Sequence, residues 1–192
     1  MDVWFLNRGF QSDPGVLVPR PTGNAQIHLL KNVTEKIISI ADVGCGAGHL
    51  GITAALEFPE ADIILIDNSR EAIDNTRDNI KLHQVTERCK VYEEELEDSS
   101  HMKVDAIITN LNFVPDHKEI DTIEPASAIY GGPTGMELYE SFWEKVRSDG
   151  AVVMRVITLC LREQFERMDE FAFQSGYELV ERKEYASCYK KV

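Results

Sequence analysis

The sequence predicts an α/β fold, with a mostly parallel sheet and helices on both of its faces. Three observations carry that prediction. Apolar, strand-like runs alternate with helix-period segments along the chain. One of those runs, Ile37-Ile38-Ser39-Ile40-Ala41, breaks directly into a glycine hinge, Asp42-Val43-Gly44-Cys45-Gly46-Ala47-Gly48, and then a helix. A later run, Ala151 to Thr158, is almost wholly apolar, as a strand buried on both faces should be. With 192 residues, 43% of them hydrophobic, the chain suits one such domain and leaves little room for a second.

The elements follow in order. Residues 1–21, punctuated by Pro14-Gly15 and Pro19-Arg20-Pro21, read as an N-terminal arm too short to be a domain; it is expected over the carboxyl end of the sheet, with a single domain spanning 22–192. The first strand ends at Asp42, and the helix after it runs from about Gly48 to Glu57. The second strand, Ile63 to Ile66, ends in Asp67. Ser69 is placed to cap a helix reaching about His83, with Glu71 and Asp74 early enough to suit the helix dipole. Cys89 to Tyr92 and Val104 to Thr109 are the third and fourth strands. A glycine-rich loop, Gly131 to Gly135, opens a helix from Met136 to Arg147, on which Tyr139, Phe142 and Trp143 fall at core-packing spacing. After the fifth strand, Ala151 to Thr158, Glu163 to Gln174 is an amphipathic helix stopped by Gly176. Glu178 to Lys183 and Ser187 to Lys191 complete a seven-stranded sheet as an antiparallel edge hairpin.

Composition narrows the function. Twenty basic residues against thirty-three acidic ones give a formal charge of −13, which would repel a phosphate backbone and disfavours nucleic acid as substrate. Cys45, Cys89, Cys160 and Cys188 are widely spread, and no His and Cys pair has zinc-ligand spacing, so reduced thiols and no metal are expected. Residues 1–8 lack the basic region and long apolar core of a signal peptide, and no apolar run approaches the length of a spanning helix. A cytoplasmic location without a membrane partner is expected.

The glycine hinge is built for a nucleotide-type cofactor. Glycines at alternate positions permit a tight turn and close approach of a ligand to the main chain, and the following helix directs free N–H groups at it. Asp67, about two dozen residues on, is placed to accept hydrogen bonds from two ribose hydroxyls. The G-x-G-x-G spacing is not the G-x-G-x-x-G of a dinucleotide site. Asp42, two residues before the first glycine, would repel a pyrophosphate and attract an ammonium or sulfonium. S-adenosyl-L-methionine is therefore the expected cofactor, held by Asp42, Gly44, Cys45, Gly46, Gly48, Asp67 and Asn68.

The fourth strand ends at Asn110, followed by Leu111, Asn112 and Phe113. The Asn110 side-chain oxygen and the Leu111 carbonyl are a pair suited to accept both hydrogens of an NH₂ group, and Phe113 is suited to stack on its plane. An ordinary turn with Asn chosen for its conformation is the competing reading.

Taken together, these segments resemble the catalytic domain of the HemK/PrmC-type release-factor glutamine N5-methyltransferases, class I S-adenosylmethionine-dependent enzymes of Rossmann-like fold. The resemblance rests on Val16 to Pro21, on Asp42 to Gly48, on Asp67, and on Glu124-Pro125-Ala126 followed by Tyr130-Gly131-Gly132-Pro133-Thr134-Gly135-Met136-Glu137-Leu138-Tyr139. It covers residue 15 to the C-terminus. It implies that Glu95 lies near the adenine, that Asn110, Leu111 and Phe113 are catalytic, that Arg20 and Asn112 bind substrate, and that the product is N5-methylglutamine formed without metal or general base. Two departures stand out. The family's Asn-Pro-Pro-Tyr reads Asn110-Leu111-Asn112-Phe113, losing both prolines, and Pro-Arg-Pro-Glu-Thr-Glu reads Pro19-Arg20-Pro21-Thr22-Gly23-Asn24, losing both acids. No counterpart of the family's separate helical domain is expected, so recognition of a protein substrate, such as a translation release factor, is expected through the arm or a partner subunit. Two alternatives stay open: methylation of an exocyclic amine of adenine or guanine, and a non-catalytic cofactor-binding subunit. Among the histidines, His49 beside the cofactor loop is the one to watch, although a helix first-turn role is the plainer reading.

Overall fold

A computed structural model describes residues 1–120, 124–148 and 153–192. The chain opens with a hairpin of β1 (Asp2–Phe5) and β2 (Arg8–Gln11). A seven-stranded sheet follows, from β3 (Ser39–Val43), β4 (Asp62–Asp67), β5 (Cys89–Glu93), β6 (Ala106–Thr109), β7 (Arg155–Leu159), β8 (Tyr177–Lys183) and β9 (Ala186–Lys191). Its order is β5-β4-β3-β6-β7-β9-β8; β3 to β7 are parallel, and β9 and β8 form the antiparallel edge. The helices are α1 (Asn24–Lys31), α2 (His49–Glu57), α3 (Arg70–Leu82), α4 (Glu137–Ser148) and α5 (Phe165–Gln174).

Strand alternation divides the core into two layers. Ile40, Ile63, Leu65, Ala106 and Ile108 pack with residues of α1 and α2, while Ala41, Val43, Ile66 and Ile107 pack with Tyr139, Phe142 and Trp143 of α4 and Met168 and Phe171 of α5. Ser69 caps α3 as expected, its side chain accepting from the Ala72 N–H.

Two expectations are refined. The first half of the arm is a hairpin, β1 and β2 burying Phe5 and Phe10 in the core layer of α1 and α2 while the Gln11 N–H donates to Asn79 Oδ1 of α3 at 2.8 Å, and the second half, from Gly15 to Arg20, lies over the cavities at the carboxyl end of the sheet. The fifth strand of the parallel set starts at Arg155, because the Met154 and Arg155 N–H groups both turn to the Asp105 carbonyl, at 2.9 and 3.2 Å. Residues 151 and 152 of the expected strand lie outside the described residues.

The register places the site. Val43 of β3 pairs with Ile66 of β4 and with Thr109 of β6. The residues that follow, Gly44, Asp67 and Asn110, therefore emerge side by side at one edge. Strand order reverses between β3 and β6, which is where ligands of open α/β sheets bind.

Candidate active site

The cofactor loop leaves β3 with three left-handed glycines, at φ +72° for Gly44, +54° for Gly46 and +76° for Gly48. The Gly44 and Cys45 N–H groups donate to the Ile66 carbonyl at 2.8 and 3.0 Å, while Thr76 and Asn79 of α3 donate to the Gly46 and Ala47 carbonyls. The loop borders a cavity of about 440 Å³, whose lining includes Gly44, Cys45, Gly46, Asp67, Asn68 and Glu95. These are six of the eight residues expected to hold the cofactor.

Asp42 and Gly48 are the other two, and neither reaches that wall. Asp42 is 1% exposed, and its Oδ2 accepts from the Gly51 N–H at 2.7 Å while Oδ1 has no partner. It draws the first turn of α2 onto β3, an approach that needs glycine at position 51: a Cβ there would lie 3.0 Å from Asp42 Oδ2 and 2.7 Å from Leu65. Burial pushes the Asp42 carboxyl up to about 7, against the Gly51 hydrogen bond, with the charge of Asp67 adding to the rise. The attraction argued for Asp42 from its position in the sequence is thus not met by direct contact. Asp67 faces the cavity instead. Its oxygens accept from the Gly46 and Ser69 N–H groups, both at 2.9 Å, which leaves each a further lone pair for a ribose hydroxyl. Burial raises its carboxyl above the usual range while those backbone bonds oppose the rise.

The donor set fits S-adenosylmethionine. Asp67, Glu94, Glu95 and Glu97 line the cavity and no Lys or Arg does, a surrounding that favours a cationic sulfonium and ammonium over a pyrophosphate. Gly15, Val16 and Leu17, not foreseen as site residues, close the cavity from the N-terminal side.

A second cavity of about 230 Å³ adjoins the first. Leu17, His49, Asn110, Leu111, Asn112 and Ala128 line both. Phe113 and Arg20 line only the second. Asn110 Oδ1 is sealed from solvent and has no hydrogen-bond partner. Arg20 forms an ion pair with the buried Glu124, whose other oxygen accepts from the Val18 N–H at 2.7 Å, so the segment before α1 is fastened across the second cavity.

The turn without prolines is held by other elements. The Leu111 N–H donates to Tyr139 Oη at 3.2 Å, Gln164 Nε2 donates to the Phe113 carbonyl at 2.7 Å, and Val114 exchanges backbone bonds with Ile129 and Gly131. Asn112 donates from its amide nitrogen to the Ser127 carbonyl at 2.6 Å. The 131–135 loop lies so close that a Cβ at Gly131 would sit 2.1 Å from the Asn112 carbonyl oxygen, and one at Gly135 2.2 Å from that of Phe113.

Residues 7–126, more than half of the chain, match the methyltransferase small domain family. The chain belongs to the methyltransferase small domain family. Among curated members with related sequences, the ribosomal protein uL3 glutamine methyltransferase of Francisella tularensis is 30% identical over 150 residues, 71% of this chain and 46% of that protein. The release factor glutamine methyltransferase of Bacillus cereus is 28% identical over 193 aligned positions, 90% of this chain and 66% of that protein. The chain spans about half to two thirds of the length of the curated relatives it matches. These are the glutamine methyltransferases to which the HemK/PrmC resemblance points. The fold is that of class I methyltransferases. A ribosomal protein L11 methylase from Lactobacillus delbrueckii subsp. bulgaricus superposes with a TM-score of 0.68 at 16% identity, covering 94% of this chain and 84% of that one. The magnesium protoporphyrin IX methyltransferase of Synechocystis PCC 6803, solved with bound S-adenosylmethionine, superposes at 0.62 and 13% identity over 89% and 78%. No helix among the described residues is long and apolar enough to cross a membrane, and no group of three His, Cys, Asp or Glu among them is arranged to hold a metal ion.

Proposed function

We propose that this methyltransferase small domain protein methylates the side-chain amide nitrogen of a glutamine carried by a protein substrate. The observation that carries the reading is Asn110: its side chain lines both the cavity suited to the cofactor and a second one open to a substrate, and its Oδ1 has no partner within the protein. Such an atom is costly in the absence of a donor, and the NH₂ of a primary amide supplies one. The names of the sequence relatives support the same substrate group.

S-adenosylmethionine, when bound, supplies a methyl group on a positively charged sulfur. The amide nitrogen is a poor nucleophile because its lone pair is delocalised into the carbonyl. Asn110 Oδ1 accepts one of its hydrogens, the Leu111 carbonyl accepts the other, and Phe113 holds the amide plane; together they turn the lone pair toward the methyl carbon. The apolar wall of the second cavity, from Val18, Val114, Ile129, Leu159 and Leu161, keeps water from competing for these acceptors. The acidic surface of the chain, at −13, favours a protein substrate over a nucleic acid.

The test is transfer of labelled methyl from S-adenosylmethionine to glutamine-containing peptides and to intact release factors and ribosomal proteins, with the modified atom located by mass spectrometry. Stronger transfer when a second subunit is added would assign recognition to a partner. Asn110→Ala is expected to lower the rate by about 100-fold or more with cofactor affinity retained. A methyl found on an atom other than the glutamine nitrogen, or a wild-type rate in Asn110→Ala, would overturn the reading.

A further inference from the structure

Asn110 is joined to the chain by two peptide planes, and each is held by a side chain from another element. On the far side, the Leu111 N–H donates to Tyr139 Oη, which donates in turn to the Leu159 carbonyl at 2.5 Å. On the near side, the Thr109 carbonyl, in the peptide that ends at the Asn110 nitrogen, accepts from Gln26 Nε2 at 2.8 Å. Gln26 is the third residue of α1, fully buried, and lines neither cavity. A carbonyl can only accept, so the Gln26 amide must turn its nitrogen toward Thr109. Its Oε1 is thereby left in the core, sealed from solvent and without a partner among the described residues. Burying an unpaired acceptor lowers stability, and Met or Leu would fill much the same space without that penalty.

We propose that Gln26 is a positioning residue for methyl transfer, setting the direction of Asn110 Oδ1 at a cost in stability. Two planar peptides meet at the Asn110 Cα, and their orientations are its φ and ψ. Holding one plane through the Thr109 carbonyl and the other through the Leu111 N–H fixes both angles, and with them the bond along which the side chain leaves. Thr109 is held a second time at its hydroxyl, which donates to the Val43 carbonyl at 2.9 Å, so the Gln26 bond acts on a strand end already in register. Residues 110–113 contain neither glycine nor proline, so the aim of Oδ1 is set from outside the turn, by α1 on one side and α4 on the other. Because it lines neither cavity, Gln26 acts only through Asn110. This inference rests on the amide reading above.

The experiment compares wild type with Gln26→Met and Gln26→Leu in methyl transfer from S-adenosylmethionine to a glutamine-containing peptide. S-adenosylhomocysteine affinity is measured by calorimetry, and stability by the chemical-denaturation midpoint. Both variants are expected to lose about 10-fold or more in kcat, because a misaimed reacting group is costly, while KM and cofactor affinity stay within about twofold. The midpoint should be equal or higher, since the orphaned Oε1 is gone. The same substitutions made in Asn110→Ala should lower the residual rate no further, because the group that Gln26 aims is absent. A wild-type kcat in either variant overturns the proposal. So does a loss that repeats in full in Asn110→Ala, or one accompanied by a lowered midpoint, since each makes Gln26 a packing residue. Failure of both variants to fold overturns it for the same reason. Wild-type protein that methylates no glutamine peptide overturns the amide reading itself, a result visible before any variant is made.

Discussion

Two turns leave neighbouring strands of the same sheet, and they are made rigid in opposite ways. The Gly44–Gly48 loop after β3 is shaped by its own backbone: three left-handed glycines and N–H groups bonded to Ile66 of the adjacent strand. The Asn110–Val114 turn after β6 contains no glycine or proline before position 115, and it is fastened from outside by Tyr139 of α4, by Gln164 ahead of α5 and by the 126–131 segment. Local chemistry specifies the first, tertiary packing the second. A turn of the second kind can change its sequence while keeping its shape, provided the fasteners remain.

The largest way to break that comparison is to push the fasteners away. Gly135→Ala places a Cβ 2.2 Å from the Phe113 carbonyl oxygen at a residue with φ +74°. It should cost about 4 kcal/mol or more, read as a fall in chemical-denaturation midpoint, and abolish methyl transfer. Gly15→Ala, at φ +93° with open space around it, is the control and should cost about 1 kcal/mol. Equal effects would mean that conformation, and not contact with the turn, decides.

A pH-dependent variant sharpens the other side. The Asp42 carboxyl sits at about 7 in the fold against 3.8 for an ordinary aspartate. Its folded pKa is raised, so its contribution to stability is full below about pH 4 and is lost as pH rises through 7. Asp42→Asn keeps an acceptor for the Gly51 N–H and removes the buried charge. It should stabilise the protein by up to about 4 kcal/mol at pH 8 and by almost nothing at pH 4, measured by denaturant unfolding at the two values. Destabilisation at both would show that the buried charge has a partner.

The smallest expected effect comes from restoring a proline. Asn112→Pro trades the 2.6 Å bond to the Ser127 carbonyl for a stiffer backbone, and the two should nearly cancel, within about 1 kcal/mol. Cofactor affinity should be unchanged by calorimetry. A large gain in methyl transfer would mean that the external fasteners leave the turn loose.

Legibility in the sequence follows the same division. The alternating elements, the Ser69 cap, the glycine loop and the pairing of β8 with β9 all depend on neighbours close in sequence, and they could be read there. The β1–β2 hairpin could not. Its strands have four residues each, and its turn puts Leu6 and Asn7, at φ 47° and 61°, where Asn-Gly would ordinarily announce it. Spacing gives the position of Asp42 along its strand but not which way a buried carboxylate is drawn; its bond to Gly51 is a tertiary fact. The clamp on residues 110–114 was invisible because Tyr139 and Gln164 reach it from 28 and 51 residues away.

The two cavities share a partition of six residues, Leu17, His49, Asn110, Leu111, Asn112 and Ala128. A ligand that moved one side of that partition would reshape the other, and the two sites would then be thermodynamically linked. Linkage is reciprocal: the factor by which cofactor tightens or loosens substrate binding must equal the factor by which substrate alters cofactor binding. Under the proposed function, the spent cofactor and the methylated amide would each leave past that same wall.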